Sequence, residues 1–272
     1  MANLSISAAW DEAKAILVRE AKLLASVALA LVGLPALVAG LVSPQSVPAA
    51  ERPLWGDLLI IVTSLIALAG QLALIRLALG PSITVGGAIG HGLRRLGAYL
   101  LAAILVGAGL VVAAIPFVLI LAALGIPLDE SMKPSGTVAL LAMLYLAVVV
   151  FVGVRMIMSG PVASAEGAGP VAILKRSWAL TAGNFWRLFG FLAAFFIGAI
   201  VVLLAIGAAV GVLIGVTAGP IQPMSASALV VALVQALLNA IITTFFAVML
   251  ARIYVQLTGG TEAQASVPRS GT

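Results

Sequence analysis

The chain has 272 residues, of which 63% are hydrophobic and only 8% charged, and its net charge is +5. A soluble domain carries roughly 25% charged residues, so this composition excludes a water-covered globule and leaves an all-helical, polytopic membrane bundle. Its 14 Lys and Arg sit at the ends of apolar runs, which points to phospholipid headgroups and not nucleic acid, and with no cysteine there is neither a disulfide nor a thiolate metal site.

The chain opens on a mixed-charge leader with Asp11, Glu12, Lys14, Arg19, Glu20 and Lys22 before apolar sequence begins near Leu23. That leader is too long and too neutral for a secretory signal. At about 100° per residue, Trp10, Ala13, Leu17 and Ala21 share one face, opposite Glu12, Arg19 and Lys22, as in an interfacial helix. A first span follows over 23–42 and a second over 57–79, separated by a Pro- and Ser-rich turn. After Gly80-Pro81, a second amphipathic stretch places Val85, Ile89, Leu93 and Leu96 on one side and His91, Arg94 and Arg95 on the other. It leads into a long third span, 97–124, in which Pro116 offers a kink. The fourth span is 137–158. A third short helix aligns Val171, Leu174, Trp178 and Ala182, and spans over 185–217 and 228–257 complete a set of six. Residues 1–258 read as one transmembrane domain and 259–272 as a flexible tail. The alternative, that the short helices are merely the first turns of longer ones, stays open.

Orientation follows from the basic residues. Only Arg52 and Lys133 of the 14 fall in the connections 43–56, 125–136 and 218–227, while those connections and the start of the second span hold Glu51, Asp57, Asp129 and Glu130. Lys and Arg are retained on the cytoplasmic side during insertion, so both termini are expected in the cytoplasm. Arg76, Arg155 and Arg252 each mark the basic end of an even-numbered span. This suggests three two-span repeats, each preceded by a short basic helix; any six-span protein with arginines at its cytoplasmic ends would look similar.

The most informative stretch is PVASAEGAGPVAILKRSWALTAGNFWR, residues 161–187. Pro161 is expected to end the fourth span and Pro170 to start a helix at its first turn, where a missing N–H costs nothing. Glu166 lies before that helix's positive end, Gly183 is placed to stop it, and Asn184 to cap the next one. Lys175, Arg176 and Arg187, with Arg94 and Arg95, form a basic belt for anionic headgroups, with Trp178 and Trp186 at interfacial depth.

The positions Pro161, Glu166, Leu174-Lys175-Arg176-Ser177-Trp178, Leu180-Thr181, Gly183-Asn184 and Trp186 resemble the motif of the bacterial membrane-domain family named after glycerophosphoryl diester phosphodiesterase, and of related six-span inner-membrane proteins. The resemblance implies a location in a bacterial inner membrane and a link to lipid metabolism. In some relatives a separate soluble barrel carries the hydrolase activity; neither that barrel nor its carboxylate cluster is evident here.

Other chemistry is sparse. His91 has no Ser or Asp at a useful spacing and reads as a solvated residue. The GAIGHG run, residues 87–92, follows no strand and is no nucleotide loop. No acidic residue lies mid-span, which argues against an ion-coupled pump. No catalytic set, cofactor site or metal site is expected. Gly207, Gly211, Gly215 and Gly219 recur at spacing four, which suits close helix packing within the chain or a homo-oligomer contact. Gln235, Asn239 and Thr243 share a face that Gln71 is placed to meet, either as interhelical hydrogen bonds or as a polar cavity. The leading expectation is a non-enzymatic inner-membrane protein with a lipid-associated structural, scaffolding or regulatory role. Its partners would be anionic phospholipids and another membrane protein or a second copy. A small-solute or lipid carrier is the first alternative, and a membrane-embedded lipid enzyme the second.

Overall fold

A computed structural model describes residues 4–42, 54–80, 84–126, 135–217 and 224–265, and among these every regular element is helical. Helix α1 (Ile6–Arg19) starts where the Ser5 hydroxyl accepts a bond from the Ala8 N–H, a serine N-cap. After a turn at Glu20, α2 (Ala21–Val42) carries a π-turn over Leu29–Gly33, with Leu34 N–H reaching back five residues to the Leu29 carbonyl. Pro35, which lies just beyond, explains it. A proline ring clashes with the carbonyl four residues earlier, and the wider turn moves that carbonyl away.

Helices α3 (Leu54–Leu79) and α4 (Val85–Ala123) form a tight antiparallel hairpin. Its closest approach is at Gly92, where a β-carbon would run into the Ala69 carbonyl oxygen. The second amphipathic stretch is therefore no separate interfacial helix. Thr84 caps α4, and the helix runs unbroken through 39 residues because nothing near Leu96 stops it. At 1.5 Å per residue it is about 58 Å long, nearly twice the ~30 Å hydrocarbon core. Helices α5 (Gly136–Met156), α6 (Ser159–Ala165), α7 (Pro170–Thr181), α8 (Phe185–Thr217) and α9 (Ala226–Ala265) complete the chain. The first and third short helices, α1 and α7, are separate elements. Helix α9 continues through Gly259-Gly260 to Ala265, since no proline intervenes and the last residues are good helix formers. The expected tail from 259 is thus helical to Ala265, and the rest of it lies outside the described residues.

Six helices are long and apolar enough to cross a membrane, which makes this a multi-pass membrane protein. Its core is lopsided. Fully buried side chains such as Leu72, Ile75, Met158, Ile173, Met249 and Ile253 gather at the end that carries Arg76, Arg155 and Arg252, here called the basic end. Towards the opposite end, α4, α5 and α8 are almost wholly exposed. There α4 and α5 touch through Tyr145, whose hydroxyl donates to the Leu110 carbonyl at 3.2 Å and whose ring meets Phe117, while α2 and α9 pack through a row of buried alanines (Ala228, Ala232, Ala236 and Ala240), the last three of which lie against Gly33 and Gly40 of α2. The three two-span units differ accordingly in span length, packing and the presence of a separate leading helix.

Candidate functional site

The segment singled out in the sequence builds the basic end. Gly183 adopts φ +82°, the left-handed conformation that stops α7, and Pro170 occupies the first turn of that helix. Asn184 sits at the start of α8, its carbonyl accepting from Leu188 N–H at 3.0 Å. Pro161 is buried within α6. The Ser177 hydroxyl donates to the Arg155 carbonyl at 2.8 Å; the Thr181 hydroxyl is 3.3 Å from the same carbonyl and shares its proton with the nearer Ser177 carbonyl at 3.0 Å. Trp178, between them in sequence, lays its ring 5.0 Å from the Arg155 guanidinium carbon, with Phe151 at 5.4 Å. Arg155 Nε and Nη1 are buried with no hydrogen-bond acceptor among the described residues, and the two aromatic faces help to stabilise the charge. Glu166 Oε1 accepts from Arg176 Nε at 2.9 Å and from the Tyr254 hydroxyl at 2.8 Å, tying α7 to α9.

Several residues of the expected headgroup belt are held by protein. Arg95 donates to the Ala163 and Ala168 carbonyls, both at 2.8 Å, satisfying backbone groups around the C-terminus of α6. Arg187 donates to the Leu4 carbonyl at 3.0 Å, and Arg176 is paired with Glu166. Arg94 and Lys175 are exposed, as are Trp178 at 42% and Trp186 at 77%. His91 is not a solvated residue: its Nε2 donates to the Ser164 carbonyl at 2.9 Å, while Ser164 Oγ reaches the Leu72 carbonyl. Helix α6 is too short to satisfy its own carbonyls, and these bonds supply what it lacks.

Among the cavities nearer the membrane interior, two are lined by the polar residues expected to face one another. The central one, about 460 Å³, is bounded by α3, α4, α5, α6, α8 and α9. Its polar lining is Gln71, Tyr99 and Ser159; the remainder is apolar, including Phe189, Phe196 and Phe246. A second, of about 580 Å³, is a groove between α8 and α9, where Gln235, Asn239 and Thr243 face Gly207 and Gly211. Thr243 donates to Asn239 Oδ1 at 3.1 Å.

Two expectations fail here. Gln71 does not meet Asn239. It lies level with Phe246, seven residues along α9 from Asn239, which at 1.5 Å per residue is about 10 Å of depth. Nor do Gly207 and Gly211 mediate close packing within the chain, since a β-carbon at either would meet nothing within 4 Å. The row lies where α8 diverges from α9. Gly215 continues it along α8, and Gly219 is outside the described residues. The alanine row of α9 takes over that role, and because alanine is common in any apolar helix the sequence alone does not mark it.

No curated protein and no solved structure matches the chain. A family model described as "Domain of unknown function (DUF7847)" matches residues 5–257, nearly the whole of the helical bundle just described, and the chain belongs to that family.

Proposed function

We propose that this is a non-enzymatic bacterial inner-membrane protein with both termini in the cytoplasm, which binds anionic lipid at its basic end and serves as a lipid-associated scaffold or regulator. The observation that carries the reading is the outward face of α7 and its neighbours. Lys175, Arg94, Trp178 and Trp186 are presented outward, while Arg95, Arg176 and Arg187 hold the platform in place. A basic side chain near an anionic surface contributes about 1 kcal/mol, and tryptophan sits well at headgroup depth. The same platform is made from the residues that resemble the glycerophosphoryl diester phosphodiesterase membrane-domain family, which agrees with a role in lipid metabolism. A solute carrier built on Gln71 and Asn239 is less favoured, because those two residues line different cavities.

Native mass spectrometry from mild detergent tests the proposal. Wild type should retain phosphatidylglycerol or cardiolipin in preference to phosphatidylcholine, with retention falling as salt rises. The Arg94→Gln/Lys175→Gln variant should retain less. Equal retention by the two proteins, with topology intact, would leave these charges a role in insertion only.

A further inference from the structure

We infer that the central cavity holds one long acyl chain, with its carbonyl end at Gln71, Tyr99 and Ser159. The space is a partly open pocket of about 460 Å³ framed by six helices, accessible to a ligand from outside the bundle. It falls within the 300–1,000 Å³ range of small-molecule sites. No charged side chain lines it, and its walls include Phe189, Leu192, Phe196 and Phe246. Such walls reject sugars and inorganic ions and accept hydrocarbon, leaving only the polar end to take a carboxyl or ester group.

The polar groups are not spread around the cavity. Ser159 begins α6 just beyond the end of α5 and lines the same pocket as the Tyr99 side chain. Gln71 lines the same cavity, is half-buried, and makes no hydrogen bond to a described residue. Its amide is therefore accessible from the pocket, and a ligand carbonyl would accept from its NH₂. From Phe189 to Phe196 the wall runs seven residues along α8 away from the basic end, about 10 Å, so the long axis of the cavity follows the spans. A lipid from the leaflet at the basic end has the same layout, with ester oxygens near the interface and the chain pointing to the midplane. Gly153 completes the site: a β-carbon there would meet no atom within 4 Å, so the glycine leaves the space open.

The site is distinct from the headgroup belt, and either can fail without the other. The test uses the full chain in nanodiscs with palmitate carrying a photoactivatable diazirine in mid-chain. Adducts should concentrate on the cavity walls of α5 and α8 and be displaced by excess unlabelled palmitate. Gly153→Leu should reduce them at least tenfold. Gly107→Leu, equally unobstructed but on an exposed stretch of α4, should leave them unchanged. Gly153→Met serves as a second filling variant should leucine impair folding. Arg94→Gln/Lys175→Gln should label like wild type. Native mass spectrometry separates the sources: a mass lost on filling the cavity will be that of a fatty acid or of a whole phospholipid, and either supports the assignment. Adducts scattered over outward residues such as Val111 and Leu204, not displaced by palmitate and unaltered in Gly153→Leu, would overturn it. So would a retained isoprenoid in place of an acyl lipid.

Discussion

Ala232→Leu and Gly211→Leu place the same side chain on adjacent spans, and the structure predicts opposite outcomes. Ala232 is 2% exposed, and a β-carbon built on Gly40 of α2 would lie 3.1 Å from the Ala232 β-carbon. Leucine adds three carbons there with nowhere to go, so α2 and α9 must separate. Overpacking of this kind costs about 1–3 kcal/mol, and more where backbone is the obstacle. At Gly211 nothing lies within 4 Å, so leucine enters the groove beside Asn239 at a cost near zero, offset further by its better helix propensity of roughly 0.5–1 kcal/mol. Thermal unfolding in detergent, followed by size-exclusion chromatography, orders the two variants. Ala232→Leu should melt clearly below wild type and Gly211→Leu at or slightly above it. If Gly211→Leu is the less stable variant in monomeric protein, α8 and α9 pack closely at that level and the described groove is wrong.

Other consequences can be measured directly. Ser177→Ala removes a bond to the Arg155 carbonyl and Thr181→Val one shared between that carbonyl and the Ser177 carbonyl, both from fully buried hydroxyls, and each should lower stability by about 0.5–1.5 kcal/mol, less than additively in the double variant. Gly92→Ala drives a β-carbon into the Ala69 carbonyl and should cost about 1–3 kcal/mol, whereas Gly97→Ala, on the same helix with open space around it, should be neutral or stabilising. A stable Gly92→Ala protein would mean that the α3–α4 hairpin is looser than described. For topology, reporters fused after residues 50, 130 and 222 should be active outside the cytoplasm and those after 90, 170 and 262 inside. A cytoplasmic signal from residue 130 would break the six-span arrangement.

Hydropathy located all six spans to within a few residues except where a helix continued through polar sequence. Apolar runs mark what lipid can cover, but a helix needs only backbone hydrogen bonds. So α4 begins at Val85, not at residue 97, and α9 reaches Ala265. Local turn chemistry was equally legible, because Pro170 and Gly183 act through their own backbone. Side-chain partnership was not. Wheel positions put Gln71 and Asn239 on facing surfaces, yet a wheel has no depth coordinate, and about two turns of helix separate them. The sign of Arg95 and Arg176 was plain in the sequence. That their guanidiniums are engaged by the Ala163 and Ala168 carbonyls and by Glu166 depends on the return of the chain through α6. Buried alanines look like any others until their neighbour is known.

The contact between α2 and α9 also has a consequence for biogenesis. The first and last spans are neighbours: Gly33 and Gly40 seat against the alanine row, and the Ser5 N–H donates to Gln256 Oε1 across 251 positions of sequence. Contacts this distant in sequence form late, because the loop between them must close first. During synthesis α2 enters the bilayer long before its partner exists. Its small-residue face must wait in lipid, free to pair with any other helix that offers a flat surface. The bundle closes only when α9 arrives, so a chain halted before residue 226 would keep five apolar helices but leave the face of α2 that receives α9 uncovered, and quality-control proteases should find it there.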